Sequence, residues 1–270
     1  MTNTKPLAVV TGASSGIGFE LAKVFADNGY DLLVNAEDNG LEAAAEQLRA
    51  AGAHVQTIQT DLSTYDGVEQ LYAAIVSTGR PVSAAALNAG VGQGGAFIDT
   101  DLADEIRIID LNVTSTVHLA KRLLKDMVTR DAGRVLVTSS IASTMPGSFQ
   151  AVYNASKSFL HSFAQALGNE LKDTGVTITA LMPGPTDTDF FHRADMEDTK
   201  IGQATKDDPA LVAKQGFEAL MGGKNKIIAG SATTKAQGVA GKLLPDKLKA
   251  AAHRQMAQPE SGEWEEDHEL

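Results

Sequence analysis

The octapeptide Thr11-Gly12-Ala13-Ser14-Ser15-Gly16-Ile17-Gly18 follows a short apolar run and opens a helical pattern. Glycine at such a turn permits a tight reversal, and missing side chains let backbone N–H groups approach a pyrophosphate. The helix N-terminus adds partial positive charge at the same place. The spacing is G-x-x-x-G-x-G rather than the commoner G-x-G-x-x-G, yet three glycines in the first strand–helix unit point to dinucleotide binding. Glu37 and Asp38 come at the end of the second apolar run. An acid there accepts hydrogen bonds from the adenosine ribose hydroxyls and would face the 2′-phosphate of NADP. At about 4 Å that like-charge pair costs about 4 kcal/mol at an effective dielectric near 20. No Lys or Arg occurs in 13–15 or 35–40 to neutralise such a phosphate, so NAD is expected over NADP.

A second constellation lies in the middle of the chain. Tyr153-Asn154-Ala155-Ser156-Lys157 begins a pattern in which Phe159, Phe163, Leu167 and Leu171 recur at every fourth residue. The Tyr153 phenol and Lys157 ammonium therefore share one helix face, one turn apart. That spacing alone is common, and its weight comes from its company. Ser140 stands at the carboxyl end of an apolar run, and Asn112 is an odd polar choice inside the helical stretch IIDLNVTSTV.

The elements that must position these residues alternate almost throughout. Strands are predicted at Leu7–Val10, Asp31–Asn35, Val55–Thr60, Ala84–Leu87, Arg134–Ser139, Val176–Met182 and Lys226–Ala229. Helices are predicted near Gly18–Asn28, Leu41–Ala51, Gly67–Thr78, Asp101–Thr129, Val152–Asp173 and Pro209–Met221. This alternation predicts an α/β fold, a Rossmann-type doubly wound parallel sheet of about seven strands with helices on both faces. Residues 1–258 are expected to form a single dinucleotide-binding catalytic domain. Within it, 185–208 break the alternation after a strand and read as a lid at the carboxyl edge of the sheet. One further amphipathic helix is expected around Asp246–Met256, followed by an acidic, disordered tail at 259–270.

Composition bounds the function classes. The 270 residues are 43% hydrophobic and 21% charged, with a formal net charge of −11 that argues against nucleic acid. Six of the acids lie in the last eleven residues, ESGEWEEDHEL, leaving the rest of the chain near −5. With no cysteine, thiol catalysis, disulfides and thiolate metal sites are excluded. The histidines show no metal-ligand spacing, so no metal is expected. No apolar run is long enough for a membrane span and no signal peptide is read, so a cytoplasmic location is expected.

Taken in order, the glycine-rich turn, Asn88-Ala89-Gly90 after the fourth strand, Asn112, Ser140, the Tyr153/Lys157 pair and Pro183-Gly184 resemble the compact branch of the short-chain dehydrogenase/reductase family. The resemblance spans about residues 5–190. It implies an NAD(P)(H)-dependent oxidoreductase moving a hydride between nicotinamide and a small-molecule ketone/secondary alcohol pair. Tyr153 would be the general acid/base, its phenol lowered toward neutrality by Lys157, which would also hold the nicotinamide ribose. Ser140 would orient the substrate oxygen, and Asn112 would support a water relay behind Lys157. For the cofactor, the resemblance points to Gly12, Ser14, Ser15, Gly16, Ile17 and Gly18 around the diphosphate and to Glu37 at the ribose. Asp61 and Leu62 would meet adenine, Asn88, Ala89 and Gly90 would line the channel, and Pro183, Gly184 and Thr188 would meet the nicotinamide. It further implies a homotetramer or homodimer built on the two long helices. Ser115 departs from the Gly often found after the helix Asn, and 209–245 match only generic short-chain reductases, which leaves the substrate open. A non-catalytic NAD-binding sensor would predict a broken Tyr/Lys pair, and a nucleotide-sugar epimerase would need a larger C-terminal domain. Counting charges in the lid, Asp187, Asp189, Asp195, Glu197 and Asp198 outnumber Arg193, Lys200 and Lys206, so polyanionic substrates are expected to be disfavoured.

Overall fold

A computed structural model describes residues 5–240 and 245–260. In chain order its elements are β1 (Leu7–Thr11), α1 (Gly16–Asp27), β2 (Asp31–Ala36), α2 (Gly40–Ala50), β3 (Val55–Gln59), α3 (Tyr65–Ser77), β4 (Val82–Leu87) and α4 (Leu102–Ile108). A π-helical turn (Ile109–Thr114) leads into α5 (Ser115–Thr129), β5 (Gly133–Thr138), a 3₁₀ turn (Ile141–Thr144), α6 (Ala151–Glu170) and β6 (Val176–Pro183). The remainder comprises α7 (Phe190–Arg193), α8 (Lys200–Gln203), α9 (Pro209–Met221), β7 (Lys226–Ala229), α10 (Ala232–Ala240) and α11 (Asp246–Ala257). The strands form one parallel sheet in the order β3-β2-β1-β4-β5-β6-β7, so the expected seven-strand doubly wound sheet is present.

Alternation along the strands builds a core on each face. Leu7 and Val9 of β1 join Leu71 of α3, Leu119 of α5 and Leu160 of α6 on one side. Ala8 and Val10 join Leu21 and Phe25 of α1, Leu48 of α2 and Phe217 of α9 on the other. Strand order reverses between β1 and β4, whose following loops part to leave a crevice at the carboxyl edge.

Two local features depart from the sequence reading. The single helix expected over Asp101–Thr129 is divided by the π-helical turn that holds Asn112. There Ser115 Oγ donates to Leu111 O at 2.5 Å and Thr116 Oγ1 to Asn112 O at 2.8 Å, side-chain bonds that widen the turn and swing Asn112 inward. Helix α10 lies outside the helices predicted from the sequence. Its start is held by Ser231, whose Oγ accepts from Thr234 N at 3.3 Å.

The 185–208 segment, expected to be a lid, is tied down at its neck, where Asp187 N donates to Asp207 O at 2.9 Å and Asp207 N to Pro185 O at 2.8 Å. The Asp207 carboxylate then accepts from Ser231 N at 2.9 Å and from Thr234 Oγ1 at 2.5 Å, fastening that neck to the turn after β7. Above it, Phe191, Ala194 and Met196 of the lid pack with Phe149 and Ala257 of α11 in a third apolar cluster. Glu260 N donates to Asp198 O at 3.0 Å, so the first residues assigned to the acidic tail lie against the lid. The rest of that tail falls outside the described residues. Among the described residues no helix is long and apolar enough to cross a membrane, and no cluster of His, Asp and Glu is set to hold a metal.

Candidate active site

The crevice deepens into a cavity of about 1150 Å³ that runs from the glycine-rich turn to the start of α6. At its outer end the Gly12–Gly18 turn links β1 to α1. Gly12 has φ +66°, and a Cβ there would sit 3.0 Å from the Ala89 backbone, so the two loops approach as closely as glycine allows. Thr11 Oγ1 locks them together by accepting from Asn88 N at 2.9 Å and Ala89 N at 3.0 Å. Thr138 Oγ1 donates to Asn88 Oδ1 at 3.0 Å, which ties this channel wall to β5. Ser15 precedes α1 without capping it, leaving the first N–H groups of the helix free for an anion. A turn without Cβ bulk, an uncapped helix and a long cavity leading inward suit a dinucleotide.

Every residue expected at the cofactor lines this cavity. Asp61 does so while its Oδ1 accepts from Ser63 N at 2.8 Å, with Leu62 buried beside it. Thr188 stands against Gly16, its methyl 2.8 Å from where a Cβ would be. Asp38 accepts from Ser14 Oγ at 2.7 Å and so braces the glycine-rich turn. Glu37 forms an ion pair with Arg107 of α4 at 2.5 Å. The absence of a cation near Glu37, expected from its neighbours in the chain, is thus corrected: folding brings one from 70 residues away.

At the inner end the Tyr153 phenol lies beside the Ser140 hydroxyl, which favours its ionised form. Ser140 Oγ also accepts from Ala142 N at 3.1 Å, which fixes it at the end of β5. Lys157 is buried, its Nζ donating to Thr138 O at 3.1 Å and lying 5.7 Å from the centre of the Tyr153 ring. Phe190 packs against that ring at a centroid distance of 5.2 Å. Asn112 is fully buried and stands behind the cavity wall. It accepts from Val91 N and donates to Val91 O, both at 2.9 Å, and donates to Ser156 Oγ at 3.0 Å. The side chain pins the channel loop to α6 one residue from Lys157.

Burial dominates the titration of the inner pair. It pushes the Tyr153 phenol up to about 12, against a smaller downward pull from Ser140, and pushes the Lys157 ammonium down to about 8. The expected lowering of Tyr153 by Lys157 is therefore absent among the protein's own groups, because Lys157 lies over the ring and donates to a backbone carbonyl.

A stability prediction arises here. The fall of Lys157 from 10.5 to about 8 corresponds to about 3 kcal/mol against the charged form at neutral pH. Between those values the unfolded chain binds more protons than the folded one, so this penalty is full below pH 8 and is relieved as pH rises toward 10.5. Lys157→Met should raise the melting temperature at pH 7 by about 5 °C, the lost bond to Thr138 offsetting part of the gain. The gap to the parent should close between pH 8 and 10.5. Equal melting at pH 7, or a gap that grows with pH, would count against it.

The lid corrects the charge expectation. Arg193, Lys200 and Lys206 all line the cavity, as do Asp189, Asp207 and Asp208, whereas Asp187, Asp195, Glu197 and Asp198 are exposed elsewhere. Arg193 Nη2 donates to Ser15 Oγ at 3.0 Å, and Lys206 Nζ lies 5.1 Å over the Phe191 ring. Counting acids along the lid could not find this, since their direction is set by the turns at α7 and α8. At the cavity the acids and bases of this segment are evenly matched, three of each, so the excess of acid counted along the chain does not carry over to the cavity wall.

Comparison with known proteins places these features. Residues 6–199 match the family model described as short chain dehydrogenase. A putative ketoacyl reductase from Streptomyces coelicolor is 35% identical over 192 residues, covering 69% of this chain and 73% of its own. A short-chain dehydrogenase/reductase from Burkholderia phymatum, solved in complex with NAD, has a TM-score of 0.80 at 25% identity, covering 90% and 94%. A short-chain dehydrogenase from Sphingobium yanoikuyae, in complex with NADPH, has a TM-score of 0.77 at 27% identity, covering 83% and 87%.

Proposed function

This chain belongs to the short chain dehydrogenase family and is an oxidoreductase of a CH–OH/C=O pair using a nicotinamide cofactor, and on that footing we propose that it prefers NAD(H) and interconverts a ketone and a secondary alcohol. The observation that carries the reading is the Ser140–Tyr153 hydroxyl pair with buried Lys157, at the inner end of a cavity whose outer end is the glycine-rich turn.

When bound, the cofactor takes up or releases the hydride and, oxidised, brings a positive charge to the inner end of the cavity. The chain does the rest. Backbone N–H groups at Gly12–Gly18 hold the diphosphate, and Glu37 accepts from the adenosine ribose. Lys157 donates to the nicotinamide ribose, while Asn112 keeps the channel loop and α6 in register. Ser140 holds the substrate oxygen beside the Tyr153 hydroxyl, which gives that oxygen its proton in reduction and takes it in oxidation. With burial holding the phenol near 12, added positive charge is what brings it into working range. Apolar side chains exposed along α4, the π-helical turn and α6 (Leu102, Ile106, Ile109 and Phe159) support the expected homotetramer or homodimer.

Titration with NADH, followed by nicotinamide fluorescence, tests the reading. Saturable binding supports it, and no binding of either NADH or NADPH overturns it. Arg193, reaching from the lid to Ser15, adds a cation where the diphosphate is proposed to lie. Arg193→Gln should weaken NADH binding about threefold to tenfold and flatten its salt dependence. A parent affinity unchanged across 0.05–0.5 M salt, over which the Debye length shortens about threefold, would reject that role.

A further inference from the structure

The cavity wall holds two buried polar side chains that the proposed chemistry does not use. Gln150, just before α6, is 5% exposed and lines the cavity. Its carboxamide neither caps α6 nor makes a hydrogen bond to any described residue. His253 of α11 is 2% exposed and lines the same cavity. Its Nδ1 lies 2.8 Å from Ser148 O. A carbonyl only accepts, so Nδ1 carries the proton and Nε2 is left as an acceptor. Nε2 has no partner among the described residues. Burial pushes the imidazole below its usual value, which keeps this tautomer neutral.

The segment between them is held in a costly conformation. Phe149 has φ +63°, a region an aromatic side chain rarely adopts. Gly95 N donates to Phe149 O at 3.0 Å, and the Arg254 guanidinium lies 5.6 Å over the Phe149 ring. Ser148 Oγ donates to Ala250 O at 3.2 Å, so α11 and this segment are joined at three points. The strain fixes the direction of Gln150, three residues ahead of Tyr153. The Gln150 amide and His253 Nε2 are open to the cavity and have no partner there among the described residues, so a ligand hydroxyl can take the place of water on both.

We propose that Gln150 and His253 form a subsite for a second hydroxyl of the substrate, which donates to His253 Nε2 and accepts from the Gln150 amide. The substrate class is then a hydroxyketone or diol rather than a plain apolar ketone or alcohol. This inference rests on the oxidoreductase reading and narrows its substrate.

The probes are matched pairs, cyclohexanol with cyclohexane-1,2-diol and butan-2-ol with butane-2,3-diol, in NAD-coupled oxidation. Binding of each probe to the NADH complex, read by nicotinamide fluorescence, gives the same comparison without turnover. The parent should favour the diol by about tenfold or more in kcat/KM, since a site built to bond a hydroxyl rejects the analogue lacking it. Gln150→Leu and His253→Phe should each remove about tenfold of that preference, with the mono-alcohol and NADH affinity within about threefold of the parent. Gln150→Leu breaks no hydrogen bond seen in the structure, so it tests the subsite even if His253→Phe loosens α11. No diol preference in the parent, or a preference that survives both substitutions, overturns the subsite and leaves the oxidoreductase reading standing. Loss of NADH binding in the parent would overturn both.

Discussion

Tyr153→Phe should lower kcat for alcohol oxidation by about 10²–10⁴-fold and leave the dissociation constant for NADH within about twofold. Phenylalanine keeps the ring contacts with Phe190 at 5.2 Å and Lys157 at 5.7 Å and removes only the hydroxyl. Ser140 keeps its bond from Ala142 N, so the end of β5 should not move. What is lost is the hydroxyl beside Ser140 that is proposed to pass a proton to the substrate oxygen. Single-turnover kinetics with NAD and the best alcohol found, alongside an NADH titration, separate the two quantities. Activity within about threefold of the parent would remove Tyr153 from the chemistry, because positioned proton transfer is worth more than that. A joint collapse of turnover and binding would instead point to a structural role.

Glu37→Ala should invert the cofactor preference, and Arg107 determines by how much. An isolated acid facing a 2′-phosphate would disfavour NADPH by about a thousandfold on the Coulomb estimate. Glu37 is not isolated. Its carboxylate pairs with Arg107 at 2.5 Å, and both side chains are about 40% open to solvent, at 40% and 39%. Screening by solvent and by the guanidinium should reduce the parent's preference for NADH to about tenfold. Removing the carboxylate frees Arg107 to meet the phosphate, so Glu37→Ala should bind NADPH more tightly than NADH. Arg107→Ala should move the other way and sharpen the parent's preference, while the double variant should fall near parity. Titrating all four proteins with both cofactors completes the cycle. Equal affinities in the parent, or a preference unmoved in Glu37→Ala, would show that another group reads the ribose.

The strands and the outer end of the site were legible in the chain because their physics is local. β1, β2 and β6 are buried on both faces and so read as short apolar runs, bounded by turns. The glycine-rich turn records a backbone conformation and a close approach, both visible as missing side chains at fixed spacing. Tyr153 and Lys157 are one helical turn apart, and helix geometry alone places them on one face.

The long helix over Asp101–Thr129 reads as continuous because its apolar spacing barely notices one widened turn. The Ser115 and Thr116 bonds widen that turn locally, but what Asn112 then meets, Val91 and Ser156, lies in segments that only the folded sheet brings near. Arg107 meets Glu37, Arg193 meets Ser15, and Gln150 and His253 share one wall for the same reason. The sheet, the glycine-rich turn and the sharing of one helix face by Tyr153 and Lys157 are each written in neighbours a few residues apart. Tertiary structure alone decided which lid charges face the cavity, which cation answers Glu37 and which polar groups are left for the substrate, because those contacts depend on packing between segments whose separation no local periodicity records.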